Sequence, residues 1–93
     1  MKRQTYASVW DALEDSPEAA ASMRVRAELM IAVQNYVAAS DETQAQAAKH
    51  LGLTQPRLND LLRGRIEKFS LDALVNMLAR VGRKVAVKVK KAA

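Results

Sequence analysis

Few residues in this sequence have the types and spacing that catalysis needs. His50 is the single histidine and cysteine is absent, so a histidine–thiolate zinc site and a nucleophilic triad both lack members. The carboxylates of Glu14–Asp15 and Asp41–Glu42 are adjacent along the chain and do not form a spaced acid–base couple. No glycine-rich phosphate loop is present. We therefore expect no enzyme, no catalytic residue, and no metal, cofactor or small-molecule ligand.

Hydrogen bonding to DNA bases is a second chemistry, and one segment has the residues for it. Between Thr43 and Gly64 the sequence predicts two short helices joined by a tight turn at Gly52. Thr43 with Gln46 forms a capping box for the first helix, and Thr54 caps the second. This arrangement predicts a helix-turn-helix that binds double-stranded DNA.

Apolar and polar positions give the second of these helices a buried side and an outward side. Leu58 and Leu61 are predicted to anchor it in the core against Ala47 and Leu51, while Ala48 permits a close helix crossing. The outward positions, and those of the loop that follows, are polar, small or basic: Gln55, Pro56, Arg57, Asn59, Asp60, Arg63, Arg65 and Lys68.

Charge is distributed unevenly along the 93 residues. Residues 1–45 hold four basic and seven acidic side chains, net −3, whereas residues 46–93 hold eleven basic and three acidic, net +8. The basic half suits a polyanion and the acidic half a basic protein. The alternative is that both are ordinary solvated surfaces.

Two longer helices are predicted to position this segment. Ser16 and Pro17 are typical of a helix start, and the apolar pattern then continues to about Ala39, with Ile31 in its stripe. Its apolar residues cover so much of the circumference that we expect it to be central and packed on more than one side. Ser70 is predicted to begin the last helix, and Gly82 to end it.

The N-terminal segment, residues 1–15, is acidic and aromatic and predicts a short helix or arm. Its apolar and acidic candidates for contact with a partner are Tyr6, Val9, Trp10, Leu13 and Glu14. They either fold back on the protein's own core or dock on another protein, becoming ordered on binding.

In the C-terminal segment, residues 83–93, the apolar residues change to a period of two. Val85, Val87 and Val89 alternate with lysine and alanine, which predicts a half-buried strand. Because no second strand is evident, we expect it to pair with a second copy in a homodimer. The alternative is a frayed basic tail. The expected organisation is thus an N-terminal arm or short helix at residues 1–15, a helix-turn-helix DNA-binding domain at 16–82, and a dimerisation strand with a basic tail at 83–93.

No stretch reaches the 18 apolar residues of a membrane span, and no apolar segment follows Lys2 and Arg3 as in a secretory signal. We expect a cytoplasmic protein without a membrane partner.

The helix-turn-helix segment resembles the Xre/Cro-repressor class through the run Thr43-Gln44-x-x-Ala47-Ala48-x-x-Leu51-Gly52-Leu53-Thr54-Gln55-Pro56-Arg57-Leu58-x-x-Leu61-Leu62-Arg63-Gly64. Three flanking runs resemble the HigA-type antitoxins of bacterial toxin–antitoxin operons: Tyr6-x-Ser8-Val9-Trp10-Asp11-Ala12-Leu13, Glu28-Leu29-Met30 and Phe69-Ser70-Leu71-Asp72-Ala73-Leu74. The resemblance implies a mainly α, five-helix Xre/lambda-repressor-like domain whose single C-terminal strand pairs across a dimer. It implies a repressor of its own operon that binds a palindromic operator and neutralises a small basic HigB/RelE-like mRNA endonuclease.

The resemblance also implies residue roles. Gln44 would bind a phosphate, Gln55 an adenine edge, and Arg57 a guanine or a phosphate. Asn59 and Asp60 would reach further base edges, while Pro56 departs from the usual polar residue of the class. The implied DNA-binding set is Thr43, Gln44, Thr54, Gln55, Pro56, Arg57, Asn59, Asp60, Arg63, Arg65 and Lys68, of which the last three would contact the backbone. Two alternatives remain: a stand-alone or phage-type repressor, and a module that only neutralises a protein.

Overall fold

Four α-helices make up most of the part of the chain that the structure, a computed structural model, describes: residues 16–92. They are α1 (Pro17–Ala39), α2 (Gln44–Leu51), α3 (Gln55–Leu62) and α4 (Leu71–Arg80), with a 3-10 turn at Ile66–Lys68 before α4. The predicted mainly α fold is confirmed. The fifth predicted helix falls in residues 1–15, outside the described residues, and the 3-10 turn was not predicted.

Every helix begins at a side chain that accepts a hydrogen bond from a backbone N–H three residues later, and these caps are Ser16, Thr43, Thr54 and Ser70. At Thr43 the capping is reciprocal, because Gln46 Oε1 accepts the Thr43 backbone N–H at 2.9 Å. All four caps were predicted from the sequence. They satisfy backbone donors that the first turn of a helix leaves without partners.

The turn between α2 and α3 depends on Gly52. Its φ of +77° lies in the left-handed region, and the N–H of Leu53 reaches back to the Ala48 carbonyl at 2.8 Å. A Cβ at this position would also lie 2.7 Å from Nε of Arg80. That nitrogen donates to the His50 carbonyl at 3.3 Å. The backbone conformation therefore favours glycine, and a Cβ here would also displace the Arg80 side chain from this contact.

The core lies where all four helices and the Phe69 ring meet. Its buried side chains are Met30, Val33, Ala47, Ala48, Leu51, Leu58, Leu61, Phe69, Leu74, Met77 and Leu78. The anchoring predicted for Leu58 and Leu61 against Ala47 and Leu51 is confirmed. A polar contact joins α1 to α3, because the Gln34 side-chain amide donates to the Leu61 carbonyl at 2.8 Å.

The outward side of α1 differs from the expectation of a helix packed on more than one side. Met30 and Val33 are buried, but within the described residues Ile31 is 53% exposed and Val25 is 48% exposed. The prediction that Ile31 belongs to a packed stripe is wrong for this part of the chain. Small and apolar residues occur all round α1, so the sequence pattern does not single out the side that packs.

Residues 83–92 form no helix or strand in the single chain that the structure describes. Val85 is half-buried against the core, whereas Val87 is 80% exposed and Val89 is 90% exposed. A strand needs a second strand for its backbone hydrogen bonds, so pairing through these valines stays a prediction. No helix among the described residues is long and apolar enough to cross a membrane.

Candidate nucleic-acid interface

One face of α3 carries the outward polar side chains of the helix-turn-helix. Gln55, Asn59 and Arg63 are exposed and four residues apart, so they follow one another along the same face, with Pro56 beside Gln55. We call these four residues the α3 face. No hydrogen bond within residues 16–92 engages the side-chain amides of Gln55 and Asn59. Among the described residues no group competes with a ligand for these amides, and the amide is the group that matches an adenine edge.

Thr43 and Gln44 lie at the start of α2 and are exposed. The Thr43 hydroxyl caps α2, and Gln44 is the first helical residue. Thr54, also exposed, has the same capping role for α3. The two threonines therefore fix the helix starts, and the Gln44 side chain is placed where the positive end of a helix can attract a phosphate.

Arg57 is turned towards the protein itself rather than outward. Its Nη1 donates to the Lys68 carbonyl at 2.9 Å, and its guanidinium lies 4.3 Å from the centroid of the Phe69 ring. Phe69 is buried, so the cation–π contact joins α3 to a fixed point of the core. In this conformation Arg57 positions the loop after α3, and the guanidinium is not presented as a base reader.

Asp60 pairs with cations of the same loop. Its side chain is 20% exposed and lies 3.5 Å from Nη1 of Arg65 and 3.9 Å from Nζ of Lys68. An unpaired carboxylate here would repel DNA, whereas a paired one holds two cations next to the α3 face. Arg63, Arg65 and Lys68 are exposed and form what we call the basic loop. Asp60 thus acts within the protein rather than as an outward base contact.

A second polar cluster connects the end of α1 to α2. The Tyr36 hydroxyl donates to Glu42 Oε1 at 3.2 Å, and the other Glu42 oxygen pairs with Nδ1 of His50. Burial, together with the Glu42 carboxylate, raises the pKa of the Tyr36 phenol, and nearby Arg83 partly offsets this rise. The phenol therefore stays protonated as a donor to Glu42. His50 has a structural partner and no place on the α3 face.

Of the predicted DNA-binding residues, the structure places the α3 face beside the basic loop, whereas Arg57 and Asp60 make contacts within the protein. Tyr6, Val9, Trp10, Leu13 and Glu14 lie outside the described residues. Sequence reasoning missed Gln34, Phe69 and Arg80 as the residues that hold the helix-turn-helix in place. Their partners are distant along the chain, and only the position of Phe69 directly before the Ser70 cap was a local signal.

Comparison with known protein families agrees with this geometry. A family described as a helix-turn-helix domain matches residues 12–90 of the 93-residue chain. The chain belongs to this helix-turn-helix domain family. The match supports the predicted Xre-like class and DNA as the partner of this helix-turn-helix protein. A search of curated proteins gives no match.

Proposed function

We propose that this helix-turn-helix protein is a dimeric, sequence-specific transcriptional repressor, a binding protein rather than an enzyme. The observation that carries the proposal is the α3 face, whose amides make no hydrogen bond within residues 16–92, next to the basic loop. The amides supply base readout and the cations supply affinity for the phosphates. A homodimer would place two such faces on one side of a duplex, about 34–36 Å apart.

Selection from random double-stranded DNA tests the proposal. The full chain should enrich a palindrome whose half-sites are one helical turn apart, and a repeat of the experiment at several salt concentrations should preserve that sequence. Failure to enrich any sequence would refute sequence-specific repression. Enrichment of a single half-site would refute the dimer but not sequence-specific binding.

Deletion of residues 87–93 tests dimerisation through the C-terminal valines. Because Val85 packs on the core and is retained, we expect a folded monomer that binds the operator much more weakly. Sedimentation and operator titration measure both effects. The matched control changes Lys90 and Lys91 to glutamine, which removes charge and keeps Val87 and Val89, and it should remain dimeric. A dimeric deletion variant would place the interface elsewhere.

The finer proposal is an antitoxin that represses its own operon and neutralises a small basic HigB/RelE-like endonuclease. Its support is the acidic, Trp10-containing segment of residues 1–15, which is separate along the sequence from the basic half of the chain. The other candidate is a stand-alone Xre-family repressor. It is favoured by the match to a helix-turn-helix family, which accounts for DNA binding without a toxin.

Gentle purification from the native host separates these two candidates. An antitoxin should retain a stoichiometric basic protein that cleaves mRNA on ribosomes once it is released, and deletion of residues 1–15 should abolish retention. A homodimer that purifies without such a protein, from cells that contain the complete operon, would favour the stand-alone repressor.

A further inference from the structure

A cavity of about 350 Å³ lies between α1 and the loop that leads into α4. Ser22 and Arg26 line it from α1, and Lys68, Phe69 and Ser70 line it from the loop. None of these α1 residues was part of the predicted DNA-binding set. The cavity therefore joins a new part of α1 to the basic loop.

The Arg26 guanidinium is only partly hydrogen-bonded by the described residues. Its Nη2 donates to the Ser22 hydroxyl at 3.4 Å, but its Nε is buried and has no hydrogen-bond partner within the described residues. A buried N–H of a charged group that is left without an acceptor is destabilising, more so than one of a neutral group. Acceptors of residues 16–92 thus leave the Arg26 guanidinium unsaturated, and its Nη groups could bind an acceptor oxygen, most favourably a negatively charged one.

Lys68 lines the same cavity and connects it to α3. Its Nζ lies 3.9 Å from Asp60, and its carbonyl accepts the hydrogen bond from Arg57. Glu67 also lines the cavity, but within residues 16–92 it forms no ion pair with Arg26 or Lys68. Two basic residues, Arg26 and Lys68, thus line the cavity with one acidic residue, and Lys68 already belongs to the basic loop.

We propose that Arg26 and Lys68 form a phosphate site that binds the DNA backbone and extends the interface onto α1. This inference rests on the proposed function, because the phosphate comes from the DNA that the α3 face contacts. Guanidinium and ammonium groups bind phosphate oxygens regardless of base sequence. The site therefore adds affinity and salt dependence but no sequence preference.

Arg26→Gln tests the site against a matched control, Arg24→Gln. Arg24 is exposed and lies about 200° around α1 from Arg26, so its loss removes the same charge from a different side of the helix. For Arg26→Gln we expect roughly tenfold weaker operator binding and a slope of log K against log salt that is smaller in magnitude by about 0.9. Base preference should not change. Arg24→Gln should leave the slope unaltered.

Each result has a definite meaning. If Arg26→Gln behaves like Arg24→Gln while both bind the selected operator, the phosphate site is refuted and the repressor function stands. If the wild-type chain binds no DNA specifically, both the proposed function and the phosphate site are refuted. Arg26→Lys, which keeps the charge, should retain most of the salt slope, and thermal melting of all variants separates binding from unfolding. An effect of Arg26→Gln that disappears when residues 1–15 are deleted would assign Arg26 to a carboxylate of that segment, and would overturn the proposal.

Discussion

Gln55→Ala should weaken operator binding by about 1–3 kcal/mol, a loss of roughly 5- to 150-fold, and should relax base preference at one position of each half-site. Gln55 is exposed at the first position of α3, and its amide makes no described hydrogen bond within the protein. Its removal should therefore not change the free energy of unfolding. The affinities for the selected operator and for its single-base variants, measured at one salt concentration, give the result.

The control for Gln55→Ala is Asn35→Ala, because Asn35 is an exposed amide on α1 and should have no effect on DNA binding. Arg57→Ala gives an informative contrast. It breaks the contact with Phe69 and the Lys68 carbonyl, so it should lower stability and operator affinity together while base preference is kept. If Gln55→Ala reduced affinity equally for all sequences, Gln55 would be a backbone contact instead.

Leu61→Ala should lower the free energy of unfolding by about 2–5 kcal/mol. Leu61 is fully buried at the centre of the core, and its carbonyl accepts the amide of Gln34. A domain of this size has a total stability of roughly 5–14 kcal/mol, so this one change removes a large part of it. Chemical denaturation followed by circular dichroism measures the loss.

The control for Leu61→Ala is Leu71→Ala, since Leu71 is 38% exposed at the start of α4 and its truncation should cost less than about 1 kcal/mol. A comparable loss in both variants would mean that the core is not centred on α3. At low temperature, folded Leu61→Ala molecules should bind the operator with the affinity of the wild-type chain, because Leu61 does not lie on the α3 face.

The features that sequence predicted correctly are those whose cause lies within a few residues. The helix caps at Thr43 and Thr54 and the turn at Gly52 are local, and all three are present. The inward turn of Arg57 depends on Phe69, twelve positions later, and no local pattern reports it. Arg26 is a similar case, because its cavity is completed by a loop more than forty residues away.

Most of the stripe predicted for α1 packs on the core, but Ile31 is exposed, and the cause of this error is also physical. An amphipathic helix is recognisable when polar residues mark the side that faces water. In α1 the residues Val25 and Ile31 on the exposed side are as apolar as those in the core. Only the positions of the other helices decide which side is buried.

The contact of Arg80 with the turn at Gly52 has a consequence for how the protein would measure DNA. Arg80 ends α4, and the segment that we expect to join two copies begins three residues later. The end of α2 and the predicted dimer junction are thus linked through one arginine side chain. In a dimer joined there, this contact would help to hold the two α3 helices at a fixed distance, and operator binding would be weakened by an inserted base pair between half-sites.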